Sequence, residues 1–292
     1  SQQLSFYCSS PPNLVTYKGL LYLFNSTSSG INYSTYQWSA AGGNFTAQQK
    51  AVPTSDPNGY YGCFGSPEVL TFNGKLYCFH VGIYNDNKIY CFSFDGTTWS
   101  DDQPLAPSGT TDYFETLDQI SVVVLNGVVN CLYVDTGRQN VQMFTMDKNG
   151  VCSASNQTGF QSSGGVAAAL VPTYHHVDFE IAPDVNNLYA AVEGDLYGLD
   201  LSNPSNQWTP NVPAEQPTAI GLKHLYLQNG PNETLFAITY GNNLIAANMT
   251  NQPVRWVDNY PSQLPVPFER VCAVSGGMHG TQGYIFGLDA PG

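Results

Sequence analysis

Charge is scarce in this chain, and positive charge scarcest of all. Only 11% of its 292 residues are charged, and nine Lys and Arg stand against 22 Asp and Glu, for a net charge of -13 at pH 7. Such a field repels a phosphate backbone or an anionic membrane surface, which excludes nucleic acid and acidic lipid as partners. Three arginines are present, Arg138, Arg255 and Arg270. Long apolar runs are missing as well: none reaches the roughly 18 residues that span a bilayer, so no membrane span is expected. No basic-then-apolar signal stands at the start, and the abrupt Ser1 fits a mature chain after signal-peptide removal. The seven cysteines form no CxxC pair, which excludes zinc-ribbon and thioredoxin-like sites, and their odd number leaves at least one thiol free. No G-x-S-x-G and no phosphate-binding loop occurs.

What is plentiful suits short strands joined by turns. Tyr (19), Phe (15), Gly (28) and Pro (19) dominate, a balance that favours β-structure over helices. A strand-like dipeptide returns six times, as Leu21-Tyr22, Leu76-Tyr77, Leu132-Tyr133, Leu188-Tyr189, Leu235-Phe236 and Ile285-Phe286, at spacings of 55, 56, 56, 47 and 50 residues. Turns such as Lys18-Gly19, Asn73-Gly74 and Asn186-Asn187 precede most of them. A period near 50 residues predicts an all-β, six-bladed β-propeller of four-stranded antiparallel blades, because one small sheet buries both faces only between neighbours. The chain is then a single domain with blades at about 10–55, 64–108, 116–158, 164–213, 216–264 and 268–292. Residues 1–9, with the run Leu4-Ser-Phe-Tyr-Cys8, are expected to complete the last blade and close the ring.

The second unit shows the pattern most plainly, with strands at Pro67 to Phe72, Lys75 to His80 and Lys88 to Phe94, then the Asp95-Gly96 turn and Trp99 as the fourth strand. Trp99, Trp208, Trp256 and Phe45 fall at matching places and read as packing between blades. Ser93-Phe-Asp95-Gly96-Thr-Thr98-Trp99 resembles the Asp-box turn of sialidases, one residue short and without a second copy; that motif is structural.

Six sequons, at Asn25, Asn32, Asn44, Asn156, Asn232 and Asn248, favour a glycosylated protein that is secreted or resides in the secretory-pathway lumen. Cys78 with Cys91, Cys8 with Cys63 and Cys131 with Cys152 are possible bridges, against the alternative of buried free thiols.

In a propeller the connections from the outer strand of one blade to the inner strand of the next gather at one mouth of the channel. Here they carry Tyr60, Tyr61 and Phe64 before the second unit, Tyr113 and Phe114 before the third, Tyr174, His175 and His176 before the fourth, and Tyr260 before the sixth. Glu68, Asp118, Asp178, Glu180, Glu269 and Arg270 follow just inside. An aromatic-walled mouth with few polar groups suits a mostly apolar small molecule. His176, Asp178 and Glu180 would share one strand face, which gives at most three metal ligands. No metal site is assigned.

Size, blade number and the Asp-box-like turn resemble the fungal fucose-binding lectins, whose sugar sites repeat an Arg, a Glu and an aromatic round the ring. The three arginines here occupy different places within their units, so that repeated site is not expected, although carbohydrate binding at another site stays open. A sialidase would need three converging arginines. The whole chain, through its size, blade number, sequons, acidity and segments such as Ser66-Pro-Glu-Val-Leu-Thr-Phe-Asn-Gly-Lys-Leu-Tyr77, resembles the secreted fungal hetero-Diels-Alderases of tropolone sesquiterpenoid biosynthesis. That resemblance implies one central-channel pocket in which a tropolone-derived o-quinone methide and a humulene-type terpene are joined without metal or redox cofactor. Orientation of two apolar partners and a hydrogen bond to the quinone methide oxygen are the physical demands. Under it, Tyr61, Tyr113, His176 and Arg270 are candidate donors, and Glu68 or Asp118, once burial raises its pKa, assists loss of water. Tyr60, Phe64, Phe114, Tyr174, His175 and Tyr260 would line the substrate.

Overall fold

A computed structural model of the chain describes residues 12–27, 30–39, 42–51, 63–83, 86–117, 119–125, 127–136 and 140–161, and beyond these the strands of residues 177–289, which are described by their backbone. Every element is an antiparallel strand, and no helix occurs among the described residues. The first sheet contains β1 (Asn13–Tyr17), β2 (Leu20–Thr27), β3 (Gly30–Ser39), β4 (Gly42–Phe45) and β5 (Gln49–Lys50). The second contains β6 (Cys63–Phe72), β7 (Lys75–Gly82), β8 (Ile89–Phe94) and β9 (Gln103–Pro104), and the third β10 (Ser121–Leu125), β11 (Val128–Val134), β12 (Asn140–Met146) and β13 (Asn156–Gln161). Next come β14 (Val177–Ala182), β15 (Asn187–Val192), β16 (Asp195–Asp200) and β17 (Thr209–Pro210). The fifth sheet is β18 (Leu222–Gln228), β19 (Thr234–Thr239), β20 (Leu244–Asn248) and β21 (Trp256–Val257); the last described pair is β22 (Phe268–Val274) and β23 (Tyr284–Asp289). Sheets two to five run in chain order, each strand beside the next.

The chain forms two compact units, Ser1–Gly137 with Gln142–Asn156, and Arg138–Val141 with Gln157–Gly292. In the first unit the leading strands β1, β6 and β10 lie side by side, and in the second β14, β18 and β22 do so.

Turn chemistry sets the register. Lys18 and Gly19 between β1 and β2, and Asn73 and Gly74 between β6 and β7, all have positive φ, the geometry of the tight hairpin turn whose twist matches the strands. At the second pair of each ladder between the leading strand and the next, Leu21 opposes Thr16, Leu76 opposes Thr71, Leu188 opposes Ile181, Leu235 opposes Leu227 and Ile285 opposes Ala273. In the third sheet that place belongs to Val129, opposite Val124, whereas Leu132 opposes Ser121 at the far end. The third repeat is therefore Val129-Asn130, and Leu132-Tyr133 is out of phase by three residues.

Alternation along the second sheet divides its side chains between two cores. Val69, Leu76, Cys78 and Phe92 pack with Tyr17, Tyr22, Phe24 and Ile31 of the first sheet. Phe72, Phe79, Val81, Ile89 and Cys91 pack with Phe114, Val122, Val129, Cys131 and Phe144 towards the third. Full burial of one such large side chain contributes about 1.5–3 kcal/mol. Trp99 seals the first of these cores: its ring lies 4.6 Å from Phe94, 5.4 Å from Phe92 and Tyr33, and 6.0 Å from Phe24.

Several expected details change. Trp99 belongs to a turn, bridged to Phe94, and the fourth strand of that sheet is Gln103–Pro104, paired with Tyr90 and Cys91. The first sheet has five strands, because β3 is long enough to pair β4 at Tyr36 and β5 at Tyr33. Cys78 opposes Phe92 while Cys91 opposes Phe79, so the two thiols fall on opposite faces and are free. Cys131 and Cys152 are likewise free, and Cys63 is unbridged. Burial pushes the Cys63 thiol up to about 12 and Cys152 up to about 11, leaving both unreactive at neutral pH. The Asp95 turn also has a counterpart. Asp95 Oδ1 accepts from the Thr97 and Thr98 amides at 2.7 and 2.9 Å, and Asp147 Oδ1 accepts from Asn149 and Val151 at 2.8 and 2.9 Å. Each turn meets the hairpin of the preceding sheet, where Lys18 Nζ donates to the Asp95 carbonyl at 2.7 Å and Asn73 Nδ2 to that of Lys148 at 3.2 Å.

Candidate functional site

At one end of the second sheet the β7–β8 connection meets the segment leading to β10, as the propeller pattern requires. The Ile89 amide donates to the Phe114 carbonyl and that of Thr116 to Asn87, both at 2.9 Å, and Lys88 bridges Glu115. This junction holds Lys88 between an acid and an aromatic: Nζ is 2.8 Å from Asp86 Oδ1 and 4.9 Å from the centre of the Tyr113 ring. The Tyr90 hydroxyl donates to the other Asp86 oxygen. Partial burial pushes the Asp86 carboxyl up, but the hydrogen bonds from Lys88 and Tyr90 and the Lys88 charge outweigh it and hold the group below its ordinary value. Tyr113 remains 40% exposed and Phe64, opposite Val81 at the same end, 49%.

Glu68 stands just inside. Pairing of β6 with β7 is interrupted between Phe64 and Glu68, and such a bulge re-aims the side chain that follows it. Its Oε2 accepts from Asn13 Nδ2 at 3.1 Å, a contact between the leading strands of neighbouring sheets.

Of the residues expected from sequence, the structure brings Phe64, Glu68 and Tyr113 to this end. Phe114 is not a wall of it: only 4% exposed, it stacks face to face on Phe144 at 3.9 Å in the core, while Tyr113 faces out. Arg270 lies on β22 opposite Leu288. Tyr60, Tyr61, Asp118, Tyr174, His175, His176 and Tyr260 lie outside the described residues.

One polar pair has no counterpart in the sequence reading. His80 Nε2 lies 2.9 Å from Asp102 Oδ2, with the two side chains 2% and 1% exposed. The imidazole stacks on Tyr90 at 5.4 Å, which links the pair to Asp86 at the junction. His80 Nδ1 and Asp102 Oδ1 have no protein partner. Twenty-two residues and no motif spacing separate the two, so only the fold joins them.

The sequons divide by burial. Asn25 is fully buried, its Oδ1 accepting from Gln48 at 3.0 Å, and Asn32 is buried with Nδ2 donating to Thr27 at 3.0 Å. A glycan cannot be carried by either nitrogen without leaving this packing. Asn44 and Asn156 are exposed; Asn248 ends β20, and Asn232 lies outside the described residues.

No protein-family model matches the chain, and no curated protein matches it. Solved structures do resemble it in fold. The Bacteroides ovatus protein described as xyloglucan PUL GH43B aligns with TM-score 0.52 and 13% identity over 86% of this chain and 54% of its own, so the chain spans about half of that protein's length. The SapL1 lectin in complex with α-methyl fucoside aligns at 0.51 with 13% identity over 85% and 79%. An endo-arabinase from Bacteroides thetaiotaomicron VPI-5482 aligns at 0.51 with 14% identity over 87% and 94%. At these identities the likeness shows the fold, a β-propeller of the kind found in family 43 glycoside hydrolases and in a lectin.

Proposed function

We propose that this protein recognises carbohydrate at the end of its second sheet where β6 begins. One observation carries the reading: exposed aromatic surface, Phe64 and Tyr113, is set at the same end of one sheet as the carboxylates Glu68 and Asp86. A sugar ring has an apolar C–H face and a polar hydroxyl edge, so it needs a flat apolar surface beside hydrogen-bonding groups. The fold adds support, since proteins that share it include a lectin seen with a fucoside and an endo-arabinase. The architecture that accompanies the proposal is the six-bladed ring, its last blade completed by residues 4–8. A secretory location is supported by the exposed sequons at Asn44 and Asn156.

Titration calorimetry with arabinotriose, galactobiose and methyl α-fucoside tests the proposal. Saturable binding is expected, weakened about tenfold by Tyr113→Ala or Phe64→Ala, equivalent to about 1.4 kcal/mol. No heat with any of these sugars overturns it.

A second reading, cycloaddition of a quinone methide with a humulene-type terpene, is favoured by the same exposed Phe64 and Tyr113 as walls for apolar partners. A product ratio altered from that in buffer, on incubating the protein with a quinone methide precursor and humulenol, supports it; an unchanged ratio removes it.

A further inference from the structure

Counting back from the last residue of each leading strand, the residue four places earlier is polar in every described sheet. It is Asn13 opposite Phe24, Glu68 opposite Phe79 and Ser121 opposite Leu132 in the first unit. In the second unit it is Asp178 opposite Ala191, His224 opposite Ile238 and Arg270 opposite Leu288. The next residue along is apolar each time: Leu14, Val69, Val122, Phe179, Leu225 and Val271. The six leading strands thus share a polar residue at one level, each followed in the chain by an apolar residue.

Two observations show that the level is built. In the first unit, where side chains are described, residues of this level on adjacent leading strands meet, as the Asn13–Glu68 hydrogen bond shows. Three of the strands are also irregular at this point, with pairing shifted between Phe64 and Glu68, between Leu222 and His224, and between Phe268 and Arg270. Bulges recur next to functional sites because they re-aim a side chain.

We propose that Asp178, His224 and Arg270, at one level on the adjacent strands β14, β18 and β22, form a binding site for a neutral saccharide; this rests on the carbohydrate reading above. A carboxylate supplies acceptors for sugar hydroxyls, a guanidinium supplies a fork of donors, and an imidazole supplies either. Vicinal hydroxyls can satisfy such a set simultaneously. The choice of a neutral sugar follows from charge: the net charge of -13 opposes approach of an acidic polysaccharide. The level carries different residues in each sheet of the unit, so the site is single and not repeated round a ring.

The test compares wild type with Asp178→Asn, His224→Gln and Arg270→Gln, using arabinotriose, galactobiose and methyl α-fucoside, with oligogalacturonate as the acidic probe. Thermal unfolding is recorded for each variant, and Arg270→Lys stands in if the Gln variant does not fold. Binding of at least one neutral sugar, lost tenfold or more in two of the three variants at unchanged unfolding temperature, is expected. Neutral-sugar binding that survives all three variants but falls with Tyr113→Ala overturns this site and leaves the carbohydrate reading standing. Preference for oligogalacturonate overturns the neutral assignment, and absence of binding to every probe overturns both.

Discussion

Asn13 and Glu68, 55 residues apart, are joined by a 3.1 Å hydrogen bond between the leading strands of neighbouring sheets. The contact ties a candidate ligand group to the packing of two sheets. Asn13→Ala is expected to cost about 1 kcal/mol of stability, the usual net worth of one hydrogen bond. Glu68→Gln, which keeps an acceptor, is expected to cost less stability and yet to weaken saccharide binding severalfold. Urea denaturation and calorimetry on the two variants measure the difference.

The buried His80–Asp102 pair is expected to be structural, locking the loop before β9 onto β7. Asp102→Ala leaves the buried His80 imidazole without its hydrogen-bond partner and is predicted to destabilise by about 1–3 kcal/mol. Replacing both by Leu is predicted to recover most of that loss. Equilibrium denaturation checks both outcomes, and a mild effect of the single variant would argue against the pairing.

Asp95 and Asp147 hold the turns that meet the preceding hairpins, and amide donors keep both carboxyls below their ordinary value: Thr98 then Thr97 for Asp95, Val151 first for Asp147. A folded-state pKa below the unfolded one stabilises above the ordinary carboxylate pKa of about 4, and that contribution is lost as pH falls through the lower folded value. Asp95→Asn and Asp147→Asn are therefore predicted to flatten the decline of the urea midpoint below about pH 4, while wild type keeps the steeper fall.

Glycan occupancy should follow burial. In protein secreted from a eukaryotic host, peptide mass mapping is expected to find sugar at Asn44 and Asn156 and none at Asn25, whose side chain lies wholly inside the first sheet's packing. A glycan on Asn25 of the folded protein would contradict that packing.

Much of the scaffold was legible because local chemistry fixes it. Lys18-Gly19 and Asn73-Gly74 set tight turns, and the apolar dipeptide two residues on marks the second strand of each sheet. The pattern misled at Leu132-Tyr133, since register is counted from the turn at Gly127 and not from the most conspicuous pair of residues. Strands of two residues, such as Gln103–Pro104, carry no period to read. The site was less legible for two reasons. His80 and Asp102 meet only through the fold, and the bulges before Glu68, His224 and Arg270 break the alternation that would have revealed their common level. Tyr113 and Phe114 show the cost of reading composition alone, because neighbouring aromatics on one segment face opposite ways.

The most direct test of the central claim is calorimetric titration of the protein with arabinotriose, galactobiose and methyl α-fucoside. The account predicts saturable binding of at least one, weakened about tenfold by Tyr113→Ala. No binding to any of the three would contradict it.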